Sequence, residues 1–412
     1  MRVRGTAAAR ALWTWAALCM AGAAWAYEDA PPPDLSIILT PDLKKSPHHS
    51  VEEAQVNGRF YTFRLDSDFG QYVVPSLALL RIRAAEVATL SQAVSEFERR
   101  YRDLSEELHG QFSVRANNAI DILTRPVSTA SDLAGQLADN INQTFTGTAQ
   151  ANGAQPPPVY GAAEIDDPVI AMHKRNIAAQ WGLDVYSSNP SVQQFLATVA
   201  SARSAGRISA GAPSFITATP KRGSIEDAAI DAAVAGLLKS RSADELRGDN
   251  AALFARMQIA SESSERFLQD SAYSPRHQTR ITHYLNALDG VLNRAGFLDS
   301  ALDAEDEGVA LAFEQAAMML LYYHRHVGRL QKLYSGKDML QAITMDNRII
   351  SVLPVDIVYW SRHTERLFDG MLGRARQAGL SGWEVVVAGD VTPQARQGLQ
   401  QRKFVVRERF VE

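Results

Sequence analysis

The chain has 412 residues, with 42 Lys and Arg against 46 Asp and Glu for a net charge of −4. That length leads us to expect two or three domains or subdomains, with ample material for a core. The acidic balance disfavours nucleic acid as a partner, which calls for a basic face.

Residues 1–26 read as a secretory signal peptide. Arg2, Arg4 and Arg10 form a positive n-region, residues 11–24 are rich in Ala, Leu and Trp, and Ala24-Trp25-Ala26 fits the small-x-small rule for cleavage after Ala26. The apolar run is short for an anchor helix, and Leu18 before Cys19 speaks against a lipoprotein site. Cleavage removes Cys19, the only cysteine, and three arginines, leaving 39 basic against 46 acidic residues and a net charge of −7. The mature chain then has no disulfide, no thiolate nucleophile and no Cys-ligated metal. The expected location is the periplasm or the cell exterior.

Residues 27–50 read as a Pro-rich tail. Pro31-Pro32-Pro33 favours polyproline II, Pro41 and Pro47 break regular structure, and His48-His49 read as solvated residues rather than metal ligands. Residues 51–74 read as a β-meander. Asn57-Gly58 is a hairpin signal, and residues 59–65 alternate with aromatic enrichment. Asp66-Ser67-Asp68-Phe69-Gly70 has a calcium-like spacing but lacks the further acids of an EF-hand, so it reads as a turn. Ser76 then caps a helix to residue 108. Its stripe, Leu80, Ala84, Val87, Leu90, Val94, Phe97, Tyr101, Leu104 and Leu108, has coiled-coil spacing. It serves either an intramolecular helical hairpin or self-association with a protein partner.

Residues 112–145 form an interrupted amphipathic pair. Peripheral membrane contact is one reading, but Asp121, Asp132 and Asp139 outnumber Arg115 and Arg125. Residues 147–167, with Pro156-Pro157-Pro158, read as a linker. Residues 168–334 read as a helical domain with a second flexible stretch at 206–223. Start signals are Asn189-Pro190, Ser224-x-x-Asp227, Ser242-x-x-Glu245 and Ser274-Pro275. Ile281, Leu285, Leu288 and Leu292 line one helix, which Gly296 breaks. Residues 305–334 then read as one central helix, with Val309, Phe313, Ala316, Leu320, Tyr323, Val327, Leu330 and Tyr334 on its stripe.

Residues 335–412 read as a small α/β module. Asp346-Asn347 marks a hairpin, residues 355–360 and 383–388 are strands, residues 364–378 and a short stretch from Pro393 are helices, and residues 404–410 are a last strand. The fold class is therefore α+β, mainly α-helical, with a β-meander and long helices first, a helical middle, and a C-terminal module whose sheet is partly parallel.

No Gly-x-Ser-x-Gly, His-Glu-x-x-His, Gly-x-Gly-x-x-Gly or phosphate loop is present, and no cofactor motif is found. Three constellations remain as catalytic or metal candidates. Asp390 follows a strand end, where open α/β sheets bind ligands, while Asp356 reads as lying at the opposite end of its own strand. His324 and His326 are about 200° apart around a helix, unsuited to one metal, though His277 and His283 are in range of them by sequence. His363 stands two residues after Ser361, which reads better as a helix cap than as a nucleophile. The expected function is a non-enzymatic binding or scaffolding role in the cell envelope. The alternatives are a hydrolase or transferase with a site at the C-terminal sheet edge, and a peripheral membrane protein attached through residues 112–145.

Overall fold

The computed structural model describes residues 27–101, 168–208, 225, 227–302, 304, 307–336 and 339–412. The class is α+β and mainly α, with an antiparallel sheet first, helices in the middle and a mixed sheet last.

The segment before the meander is packed rather than free. Two four-residue helices, α1 (Leu35–Ile38) and α2 (Pro41–Lys44), lie on the first sheet, and Leu39 between them is buried. Pro41, read from the sequence as a breaker, occupies a first helical position where its missing N–H costs nothing. Strands β1 (His49–Asn57), β2 (Phe60–Ser67) and β3 (Gly70–Val74) form the meander. Asn57 pairs with Phe60, so the first turn is Gly58-Arg59, one residue later than the sequence signal. Gly58 has φ 58°, a conformation glycine adopts without penalty.

Helix α3 (Leu77–Arg100) is capped by Ser76, whose hydroxyl accepts the Leu79 N–H. At 24 residues it spans about 36 Å. Its first half packs on the meander, together with Leu311 and Ile357. Its second half packs on α4 (Pro168–Trp181) and α5 (Pro190–Ser204). Phe195 takes edge-to-face contacts there from Phe97 at 6.2 Å and from Trp181 at 6.3 Å. The stripe from Leu80 to Phe97 is thus covered by the chain's own elements. Leu104, Leu108, the 112–145 pair and the 147–167 linker lie outside the described residues.

Helices α6 (Ala228–Ser240), α7 (Ala243–Arg256), α8 (Ser261–Gln269), α9 (Pro275–Ala287), α10 (Ala295–Ala301) and α11 (Glu307–His326) follow. Ser242 and Glu245 make both bonds of a capping box, and Ser274 caps α9. Helix α6 starts later than expected, because Asp227 is itself the cap, accepting from Ala229 and Ile230. Helix α9 ends at a turn around Gly290 (φ 76°), and Gly296 lies inside α10. Leu292 is therefore no stripe residue. Its side chain is exposed while its backbone bonds Gln331 and Leu333 along a sheet edge.

The central helix is shorter than its apolar spacing implied. It stops at His326, and Val327 and Gly328 both donate to the Tyr323 carbonyl. Leu330 and Tyr334 belong to β4 (Leu330–Gly336). A register shift between Leu330 and Lys332 hides the two-residue period that would have revealed a strand.

The remaining strands are β5 (Met339–Thr344), β6 (Arg348–Leu353), β7 (Ile357–Val358), β8 (Gly382–Val387), β9 (Asp390–Val391) and β10 (Val405–Arg407). The main sheet has the order β10-β8-β6-β5-β4. It is antiparallel through β4, β5 and β6, and parallel from β6 to β8 and β10. Helices α12 (Arg362–Gln377) and α13 (Pro393–Gln401) make the two crossovers. Val385, Val386 and Val387 are fully buried in β8. Strands β7 and β9 pair separately, just past the carboxyl ends of β6 and β8. One apolar cluster joins residues of α6 to α11 with both crossover helices and the main sheet.

Two glycines in the crossover helices make a stability test. A Cβ at Gly398 would lie 2.7 Å from the Trp360 ring, whereas one at Gly373 meets nothing within 4 Å. Gly398→Ala is expected to lower the unfolding free energy in urea by about 1–3 kcal/mol through overpacking. Gly373→Ala is expected to raise it by roughly 0.5–1 kcal/mol through helix propensity.

Candidate functional site

The two carboxylates read from the sequence as lying at opposite ends are neighbours. Leu353 ends β6, so Asp356 sits beyond the carboxyl end of the parallel pair, as Asp390 does beyond β8. The Asp390 N–H donates to the Asp356 carbonyl at 2.9 Å. Gly389 permits the approach, since a Cβ there would lie 2.0 Å from that carbonyl oxygen. This is where ligands meet open α/β sheets, but both side chains are engaged. Asp356 is buried, and its Oδ2 accepts the N–H of Tyr61 and of Leu77, each at 2.9 Å. It thereby holds the first turn of α3. Asp390 Oδ1 accepts from Arg409 Nε at 2.6 Å. Burial pushes the Asp356 pKa up to about 7 against the pull of those two N–H donors, with the Asp390 charge raising it further. Burial also raises the Tyr61 phenol, helped by the charges of Asp390 and Asp356.

The histidines are spread out. His324 is buried, its Nδ1 accepts the Leu330 N–H at 3.0 Å, and its Nε2 faces Arg329 at 2.9 Å. Burial, then Arg329 and Arg325, depress its pKa. His326 is exposed and stacks on Tyr322 at 4.5 Å. His363 is exposed in the first turn of α12, where Ser361 caps the helix by accepting the Thr364 N–H. His48 bonds Asp68 at 2.8 Å, and His49 bonds Ser46 and the Leu43 carbonyl. Among the described residues no group of three or more His, Cys, Asp or Glu side chains is placed to hold a metal ion.

His277 points elsewhere, into a buried ion network that sequence reading missed. Arg280 sits at its centre. Its Nε lies 2.7 Å from Glu314, its Nη1 lies 2.6 Å from Asp231, and its Nη2 donates to the Tyr284 hydroxyl at 2.6 Å. His277 Nε2 stands 3.7 Å from the other Glu314 oxygen, and Arg276 pairs with Asp184 at 3.1 Å. Burial lowers the His277 pKa although Glu314 and Glu307 oppose it, and burial raises that of Asp231 against the pull of Arg280. A second hub continues the network. Arg83 pairs with Glu86 at 2.7 Å and Glu307 at 3.1 Å, and Ser187 donates to Glu86 at 2.6 Å. Burial works against the Arg83 charge, but Glu86 and Glu307 outweigh it and hold its pKa above the usual value. One sequence signal was available. Glu307 and Glu314 are two turns apart on one face of a helix otherwise apolar there, and Arg276 and Arg280 are one turn apart on another.

Two cavities accompany these groups. One of about 380 Å³ lies between Asp227 at the start of α6, Tyr284 of α9 and the last two turns of α11. A small apolar one lies beside Phe97 and Trp181. Asp390 lines neither. Among the described residues no helix is long and apolar enough to cross a membrane. Comparison with protein-family models, with curated proteins and with solved structures finds no match.

Asp356 sets a pH dependence. Its folded pKa of about 7 stands above the ordinary 3.8, so the folded state holds a proton that the unfolded chain releases. The stability from this group is complete below about pH 4 and is lost as pH rises through about 7, with a slope of up to about 1.4 kcal/mol per unit. Asp356→Asn is expected to flatten urea-denaturation midpoints over that window.

The Arg280 hub gives a second test. Arg280→Leu strands Glu314 and is expected to cost about 3–5 kcal/mol. Adding Glu314→Leu is expected to restore part of that loss, which a double-mutant cycle measures.

Proposed function

We propose that this chain is an exported, non-enzymatic binding or scaffolding protein of the cell envelope. One observation carries the second half of that reading. Four of the side chains with catalytic potential, Asp356, Asp390, His324 and Glu314, are committed to main-chain groups or ion pairs. Asp356 holds Tyr61 and Leu77, Asp390 holds Arg409, His324 holds Leu330, and Glu314 holds Arg280. A general base must instead face the proton it removes. The n-region arginines and Ala24-Trp25-Ala26 support export. The residues just after the expected cleavage point pack on the C-terminal module. Glu28 N–H donates to the Trp360 carbonyl at 2.9 Å, and Tyr27 donates to Glu365 at 2.7 Å.

The test is fractionation of cells expressing the full chain, with salt and carbonate washes, followed by cross-linking and affinity capture. The expected outcome is a product shortened by 26 residues, released without detergent, and held in a dimer or a complex with an envelope protein. Asp390→Asn is expected to leave that complex unchanged. An unprocessed chain recovered in the cytoplasmic fraction refutes export. A processed, strictly monomeric chain that captures no envelope partner refutes the binding role.

A further inference from the structure

The cavity at the end of α11 has a built chemistry. Its inner wall is apolar, formed by Met318 and Leu321, and both side chains are buried. Two phenol rings flank that wall. Tyr284 is fully buried and held by Arg280, and Tyr322 is braced edge-on by Phe410 at 5.4 Å. The mouth is charged. Arg325 reaches across it to Asp227, and His326 lies beside it on the last turn of α11.

The mouth has more donors than acceptors. Asp227 Oδ1 already accepts the N–H groups of Ala229 and Ile230, and its Oδ2 takes the Arg325 contact. A guanidinium carries five N–H donors, and the contact to Asp227 uses Nη1 alone. Its planar fork suits two oxygens at once. The Arg325 side chain is 41% exposed, so it can turn toward an incoming anion without leaving water. A volume of about 380 Å³ falls at the small end of ligand pockets. Buried Met318 and Leu321, two phenol rings and the unspent donors of Arg325 at the rim together select an amphipathic acid.

We propose that this cavity binds a small carboxylate with an aromatic or compact apolar body. The body lies against Met318 and Leu321 between the two tyrosines, and the carboxylate pairs with Arg325 at the mouth. This site is independent of export and of any protein partner. A chain that is exported and scaffolds but binds no such acid loses this inference alone.

The test uses the purified full chain and two probes of equal shape, 3-phenylpropanoate and 3-phenylpropanamide, measured by calorimetry and ligand-observed NMR. The acid is expected to bind at least tenfold more tightly than the amide. Arg325→Gln, at an exposed position, is expected to reduce the acid's affinity at least tenfold and leave the amide's unchanged. Met318→Trp, which fills the inner end, is expected to abolish both. Circular dichroism checks that each variant is folded, and Met318→Phe replaces a Trp variant that is not. Absence of binding by the folded parent chain overturns the site. Equal affinity for acid and amide, or full affinity in Arg325→Gln, overturns the assignment of a carboxylate.

Discussion

A single guanidinium fixes how the helical middle is assembled. Arg280 is buried, and each edge of its planar fork meets a different partner, Glu314 on α11, Asp231 on α6 and Tyr284 on its own helix. Taking an arginine and a carboxylate out of water costs several kcal/mol per ion, which the close approach of opposite charges must offset. That condition leaves little freedom. Sliding α11 by one turn, about 5.4 Å, would strand both Glu314 and Arg280 in an apolar surround. The apolar faces of α9 and α11 have no such discrimination, because Leu, Met and Ala slide past one another at modest cost.

The same device recurs at each long-range joint. Arg83 ties α3 to Glu307 at the start of α11, with Ser187 and Glu86 completing the hub. Asp356 ties the meander and the first turn of α3 to the sheet. Glu384, fully buried in β8, accepts from Tyr323 of α11 at 3.1 Å and from Arg348 of β6 at 3.3 Å, and it also pairs with Arg407 of β10. Residues hundreds of positions apart in sequence therefore meet through a charge rather than through apolar contact alone. Buried area supplies the driving force for collapse. The charges penalise every packing in which one of them lacks its partner.

This division explains which features the sequence makes legible. Capping and turn chemistry is local, so Ser76, Asn189, Ser242, Ser274 and Ser361 are found as helix starts where their neighbours indicate. The parallel crossovers follow from helices set between apolar runs. Errors occur where two periods overlap. Val327, Leu330 and Tyr334 continue a helical spacing by coincidence, while the actual strand carries a bulge. The adjacency of Asp356 and Asp390 is hidden because Leu353 ends its strand three residues before Asp356, and the chain then starts a separate ladder. The ion network is hidden more deeply. Its members come from α3, the 184–188 turn, α6, α9 and α11, and no local pattern says which arginine faces which acid.

Position alone would have made Asp390 and Asp356 the leading functional residues, since they stand where α/β sheets usually place chemistry. Position is not sufficient, because one oxygen of Asp356 already holds two backbone N–H groups and one oxygen of Asp390 already answers an arginine. The end of α11 presents the reverse case. Nothing in its sequence resembles a motif, yet the helix stops there with Arg325 and His326 exposed, an apolar wall behind them, and an acid whose oxygens are already taken. The proposed carboxylate site therefore rests on unspent guanidinium donors beside buried Met318 and Leu321, and not on acidic residues at a favoured address.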